Sequence, residues 1–440
     1  MTNECNAHTS INPLKGFLSL SPVIVFLLLY LVLSLVIGDF YKIPIAVALA
    51  LACIWGIVTF SGKSLTERID VFSRSAGHTD ILYMIWIFVL AGAFASLAKD
   101  IGAVDATVEL TLRFFPADYI VPGLFIAACF ISLSIGTSVG TVVALTPLAA
   151  ELAGASGGNV AFVVAAVLGG AFFGDNLSFI SDTTIAATRT QGCKASDKFR
   201  ANLWLAVPAA IVTLIIYLFI PSGVNDVTVS EPGQPWLVIP YLVIIVLAIF
   251  GINVTIVLTA GIIATLILGL VAGKNVIDML GYMGSGIDSM GSLIIITLLA
   301  AGMLGIVKAT GGISFLLNSL TRHATGKRGA QTCIAILTSA VNICTANNTV
   351  AIITVGSISR DISNKFALDP RKTASLLDTC SCITQCIIPY GAQTLLATSL
   401  AGIAPAAPWQ YLYYPWALAI SVILSIIFRY PRSLRGRMNN

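Results

Sequence analysis

From Phe17 to Phe428 the sequence passes through about a dozen apolar stretches, most roughly 14–21 residues long, joined by short polar connectors. A helical bilayer crossing needs about 20 such residues. Of the 440 residues, 57% are hydrophobic and only 10% charged, against about 25% charged in soluble domains. In hydrocarbon every backbone polar group must be satisfied internally, which leaves helices or closed barrels. A barrel would need short alternating strands, and these runs are too long and too uniformly apolar. The chain therefore reads as an all-α polytopic membrane protein.

Candidate spans lie at 17–37, 43–60, 80–98, 119–133, 157–173, 201–220, 235–249, 253–272, 291–308, 330–343, 373–388 and 409–428. Shorter apolar pieces at 138–150, 349–359 and 393–404 are too brief to span and predict broken or re-entrant helices. Together these give about 11–13 transmembrane segments. The first run, Phe17–Val36, lacks a small-residue cleavage pattern and is expected to be a retained helix.

Lys and Arg set the orientation. The loops near 188–200 (Arg189, Lys194, Lys198, Arg200), 308–330 and 360–372 and the C-terminal tail are basic and predicted cytoplasmic. The linker 221–235 lacks basic residues, holds Asp226 and Glu231, and is predicted external. Residues 1–220 and 236–440 then run in opposite senses, as two inverted-topology repeats would. Each half also carries a small-polar break followed by an Asp segment: Ser132–Ala149 then Asp175, and Asn342–Ser359 then Asp378.

Several functions are excluded. The net charge of +4 sits in loops and tail, so it is no nucleic-acid footprint. Nine cysteines, mostly in apolar runs, and three histidines give no metal-binding pattern. No phosphate-binding loop or room for a nucleotide-binding domain is present, so the chain is not read as an enzyme or ATP-driven pump. No cofactor is expected, and an ion gradient should supply the energy.

The chemistry concentrates in Gly174–Arg189, GDNLSFISDTTIAATR, at the end of the run Val160–Phe173. Intramembrane carboxylates are costly and mark an ion or substrate path. Asp175, beside Asn176, is the first candidate, and Asp182, beside Thr183 and Thr184, the second. If the segment stays helical, their seven-residue spacing puts both on one face, with Arg189 continuing the stripe. One carboxylate that takes either a proton or Na⁺ is minimal machinery for exchange. Glycines at Gly136 and Gly140 allow unwinding, and Thr137 and Ser138 offer hard oxygen ligands. Thr345, Asn347 and Asn348 are their counterparts in the second half, and Asp378 with Thr379 supplies its charge. Asp175, Asp182, Ser138 and Asn347 are the expected ligands of a transported Na⁺.

The run GDNLSFISDTTIAATRTQGC at Gly174–Cys193 resembles the NhaC family of bacterial sodium/proton antiporters, within a wider group of inverted-repeat carriers. The resemblance implies that Asp175, Asn176, Ser178, Asp182, Thr183 and Thr184 line the transport site. It implies Na⁺ efflux against H⁺ entry by alternating access in the bacterial cytoplasmic (inner) membrane. The same family holds exchangers of malate and lactate and carriers of amino acids, so an amino acid or small organic acid is the alternative cargo. The cysteine-rich DTCSCITQC at Asp378–Cys386 departs from the family pattern and suits that alternative. The expected partners are Na⁺, H⁺ and the lipid bilayer, with no nucleic acid; a homodimer would be in keeping with this kind of carrier.

Overall fold

The apolar runs are largely helical in the computed structural model, which describes residues 13–32, 44–103, 106–107, 119–179, 181–220, 234–250, 252–321 and 325–428. Most of the linker 221–235, the basic C-terminal tail, Arg322, Asp105 and Glu109 lie outside those residues. Among the described residues, six helical stretches are long and apolar enough to cross a membrane: Ile81–Asp100, Ser138–Ala155, Val160–Gln191, Ala195–Phe219, Val254–Val271 and Val276–Ala309. The molecule is a polytopic all-α membrane protein.

It divides into two units, one formed by Met1–Ile81 with Ile296–Ala324, the other by Leu82–Ile295 with Thr325–Asn440. In the first, α1 (Pro13–Leu27) packs on α2 (Ile45–Thr59), and the Ser19 hydroxyl donates to Thr310 O at 2.8 Å. Helix α3 (Leu65–Ala76) starts at a capping box in which Ser64 and Glu67 each satisfy the other's backbone N–H.

The second unit holds the candidate site. It contains α4 (Thr79–Asp100, from residue 82 onward), α5 (Ile120–Ile135), α6 (Ser138–Ala155), α7 (Val160–Leu177), α8 (Asp182–Gln191) and α9 (Ala195–Phe219). Further along lie α10 (Ile239–Ile249), α11 (Val254–Val271), α12 (Val276–Ser289) and the start of α13 (Gly291–Ala309). After α14 (Gly312–Thr321) of the first unit come α15 (Gly326–Thr345), α16 (Asn348–Lys365), α17 (Pro370–Ile387), α18 (Ala392–Leu400) and α19 (Tyr413–Phe428).

Two four-helix motifs within this unit match at a constant separation of 210 residues. Gly136 and Ala346 break the chain with φ of 73° and 49°, and Thr137 and Asn347 follow in extended conformation with φ of −146° and −147°. The next helices start at Ser138 and Asn348, then at Val160 and Pro370, and end at Leu177 and Ile387. Even a side-chain bond recurs: Ser132 Oγ donates to Ala171 O at 2.5 Å, and Asn342 Nδ2 to Ser381 O at 2.7 Å. The left-handed turn suits Gly136, which has no Cβ to clash.

Helix α5 runs alongside α7 in the same direction, and α6 returns antiparallel, so the Gly136–Thr137 tip lies against the end of α7. Gly174 makes this approach possible, because a Cβ there would overlap the Ser132 side chain and backbone. Gly174→Leu should therefore destabilise the detergent-solubilised protein by about 1–3 kcal/mol in thermal unfolding; an unchanged melting temperature would show the hairpin has room to move.

Two expectations shift. The pieces at 138–150 and 349–359 are helices of 18 residues each, because the backbone continues through Glu151 and through Arg360 and Asp361. Gly174–Arg189 does not stay helical: α7 ends at Leu177, Ser178 is extended, and the Ser181 hydroxyl accepts from Thr184 N to cap α8. Asp175 and Asp182 consequently do not share a helix face.

Candidate functional site

Asp175 lies in the last turn of α7, 4% exposed, against the Gly136–Thr137 tip. Its Oδ1 accepts from Ser138 N at 3.0 Å and its Oδ2 from Ser138 Oγ at 2.5 Å. The first N–H of α6 thus faces the carboxylate, where a helix start favours negative charge. Ser138 Oγ also accepts from Gln393 Nε2 at 3.1 Å, and Gln393 Oε1 accepts from Gln385 Nε2 at 3.0 Å. Gln385 Nε2 reaches Ala346 O at 2.9 Å. One chain of hydrogen bonds therefore links the break at Ala346 to the carboxylate beside the break at Gly136.

A buried ion pair adjoins this carboxylate. Lys198, on α9, and Asp378, on α17, are both fully buried and lie 2.8 Å apart. Lys198 Nζ also donates to Asn176 O at 2.7 Å, Thr184 Oγ1 at 2.6 Å and Asp175 O at 3.3 Å. Those carbonyls are free because the helix stops at Leu177. Asn202, one turn after Lys198, donates to Asn176 O at 2.8 Å and Asp378 Oδ2 at 2.7 Å. Around the break, Ser181 Oγ reaches Asp175 O at 3.0 Å and Thr184 Oγ1 reaches Ser178 O at 2.7 Å. The Thr183 hydroxyl lies 3.5 Å from Asp175 O.

The structure gathers Asp175, Ser138, Asn176, Ser178, Thr183 and Thr184 around one helix break, with Asp378 joined through Lys198. Other predicted residues lie differently. Asp182 is exposed on the first turn of α8. Thr137 is half-buried at the start of α6 without a side-chain cap. Thr379 Oγ1 donates back to Ser375 O at 2.7 Å. Asn347 Oδ1 accepts from Val350 N at 3.0 Å and so caps α16, while Thr345 bonds locally to Asn347 O. Asn348 is buried with Nδ2 unpaired. The 210-residue separation places Gln385, not Asp378, at the position of Asp175.

Lys198, Asn202 and Gln385 were not singled out from the sequence. Lys198 was expected in a cytoplasmic loop, but α9 begins at Ala195 and carries it inward. Its four-residue spacing from Asn202, one helical turn, is the signal that was there to be read. Lys372, also expected in a connector, is buried and donates to the Ser425 hydroxyl. Among the described residues no cluster of three or more His, Cys, Asp or Glu could hold a metal ion.

Away from these breaks, a cleft of ≈ 390 Å³ opens at the ends of α4, α6 and α18, lined by residues including Ser96, Lys99, Pro147, Glu151 and Ser399. Lys99 Nζ and Glu151 Oε1 lie 3.2 Å apart at its edge. Between α8 and α16 the chain is instead closed, with buried Gln191 donating Nε2–H to Gly356 O at 2.8 Å.

The Na⁺/H⁺ antiporter family model matches residues 6–221 and 227–431. The chain is 25% identical to the malate-2H⁺/Na⁺-lactate antiporter of Bacillus subtilis, over 94% of each chain. It is 23% identical to the Na⁺/H⁺ antiporter NhaC of Alkalihalophilus pseudofirmus, over 88% of this chain and 89% of that one. It is 22% identical to the arginine/ornithine antiporter ArcD of Halobacterium salinarum, over 83% and 82% respectively.

Proposed function

The chain belongs to the Na⁺/H⁺ antiporter family and is a secondary active antiporter, and on that footing we propose that Asp175 is the carboxylate its ions share. The carrying observation is geometric: a buried carboxylate held by Ser138 N–H and hydroxyl at the meeting of two helix breaks. A proton on that carboxylate and a Na⁺ against it exclude one another, which couples their movements. Asn176, Ser178, Thr183 and Thr184 supply neighbouring hydroxyl and carbonyl oxygens, and the Gln385–Gln393 chain ties the second break to the same site.

The two motifs separated by 210 residues are an inverted repeat on this reading. Helices α5–α6 and α15–α16 are re-entrant hairpins entering from opposite faces of a bacterial inner membrane, with 1–220 and 236–440 as the two repeats and 221–235 as the external linker. About 11–13 segments then cross or enter the bilayer. The cleft by Glu151 faces outside, and the Gln191–Gly356 contact closes the cytoplasmic path. Alternating access exchanges which of these is open.

A second reading has its own support. Two relatives are named as exchangers of malate, lactate, arginine or ornithine, and the ≈ 390 Å³ cleft is large for a bare cation. There an organic or amino acid would travel with the ions. Proteoliposomes reporting internal pH separate the two. External NaCl alone alkalinises the lumen if Na⁺ enters as H⁺ leaves. A response that requires one added organic or amino acid overturns the first reading. In the same assay Asp182→Asn, altering an exposed residue, should slow exchange by less than about tenfold; complete loss would restore Asp182 to the site.

A further inference from the structure

The Lys198–Asp378 pair is not needed to cap a broken helix. In the second motif a neutral group serves the corresponding helix end: Trp409 Nε1 donates to Ile387 O at 2.6 Å, the counterpart of Leu177 O and one residue beyond the carbonyls that Lys198 holds. The residue 210 positions before Asp378 is Leu168. Burying two charges costs more than burying apolar side chains, and such pairs are weak devices for stability. Residue 210 positions after Lys198 is Pro408, so neither member of the pair has a charged counterpart and the pair requires a separate explanation.

The oxygens around the ammonium offer one. Asp378 Oδ2, Asn176 O, Thr184 Oγ1 and Asp175 O lie 2.6–3.3 Å from Lys198 Nζ, in a fully buried setting. An ammonium has three hydrogens for these four acceptors. A further buried oxygen, Asn202 Oδ1, has no hydrogen-bond partner. Four oxygens around one ammonium with three hydrogens suit a spherical cation better than a directional donor. The cage also shares residue Asp175 with the proposed exchange site, through its carbonyl instead of its carboxylate.

We propose that these atoms form a monovalent-cation site and that the Lys198 ammonium fills it as a tethered cation. The lysine travels with the protein, so this site is neutralised without consuming a transported ion, and exchange is confined to the Asp175 carboxylate. Lys198 thereby sets how many cations move per cycle. This rests on reading the surroundings of Asp175 as the ion path, and the test separates the two.

The test is thermal unfolding of the purified full-length protein in NaCl or KCl against choline chloride, for wild type and Lys198→Met. A free cation that enters the vacated cage stabilises by mass action. The melting temperature of Lys198→Met should rise by several degrees more than that of wild type between low and high salt. The excess should persist in Asp175→Asn/Lys198→Met, which lacks the exchange carboxylate, and vanish in Lys198→Met/Asp378→Leu. An excess lost with Asp175→Asn overturns the separate cage; loss of exchange in Asp175→Asn bears only on the function reading. Should Lys198→Met fold in Na⁺ or K⁺ but not in choline, the cage is confirmed outright. No excess in Lys198→Met, or failure to fold in every salt, overturns the proposal.

Discussion

Asp175→Asn abolishes Na⁺-driven proton movement, with an expected loss of at least about 100-fold in the rate of lumenal alkalinisation. The substitution keeps the size of the side chain and still offers Ser138 an acceptor, so the helix tip should stay seated. It removes the one property that exchange requires, a charge claimed by either ion. The check is the rate in proteoliposomes at equal protein density, beside the melting temperature. Near-normal exchange by a folded Asp175→Asn protein would move the coupling site elsewhere, with Asp378 the next buried carboxylate.

Asp378→Ala has the second large effect, on folding. It leaves the Lys198 ammonium fully buried with only neutral acceptors. Breaking a buried ion pair by removing one partner costs about 3–5 kcal/mol, whereas exchanging both for apolar residues is often neutral or better. Asp378→Ala should therefore unfold far below wild type, and Lys198→Met/Asp378→Leu should recover most of the loss. Equal melting temperatures for Asp378→Ala and wild type would mean that water or rearrangement relieves the ammonium.

The helices were legible because burial in lipid leaves the backbone no alternative, so composition alone marks them. The break at Gly136 was legible too, since glycine is the residue type a left-handed turn favours, but the break between Leu177 and Asp182 was not, because an Asp pair at helical spacing pointed to a continuous helix. What such a break does to the residues beyond it was not legible. Asp182 matches Asp175 in chemistry and helical spacing, yet Ser178 is extended and places it on another element. Lysine near a span end is usually a loop charge, and Lys198 reads as one in the sequence. Only the fold shows that the carbonyls freed at Asp175 and Asn176 lie where that lysine enters. Gln385 is silent in the sequence, since a neutral amide carries no signal until its partner Ala346 O is placed beside it.

Proton release on cation binding decides whether one carboxylate serves both ions. Purified protein in weakly buffered detergent solution, titrated with NaCl against choline chloride, should acidify the medium as Na⁺ displaces the proton from Asp175. The release should saturate and be absent in Asp175→Asn. Saturable Na⁺ binding without proton release, or release undiminished in Asp175→Asn, would mean that the two ions do not compete for Asp175.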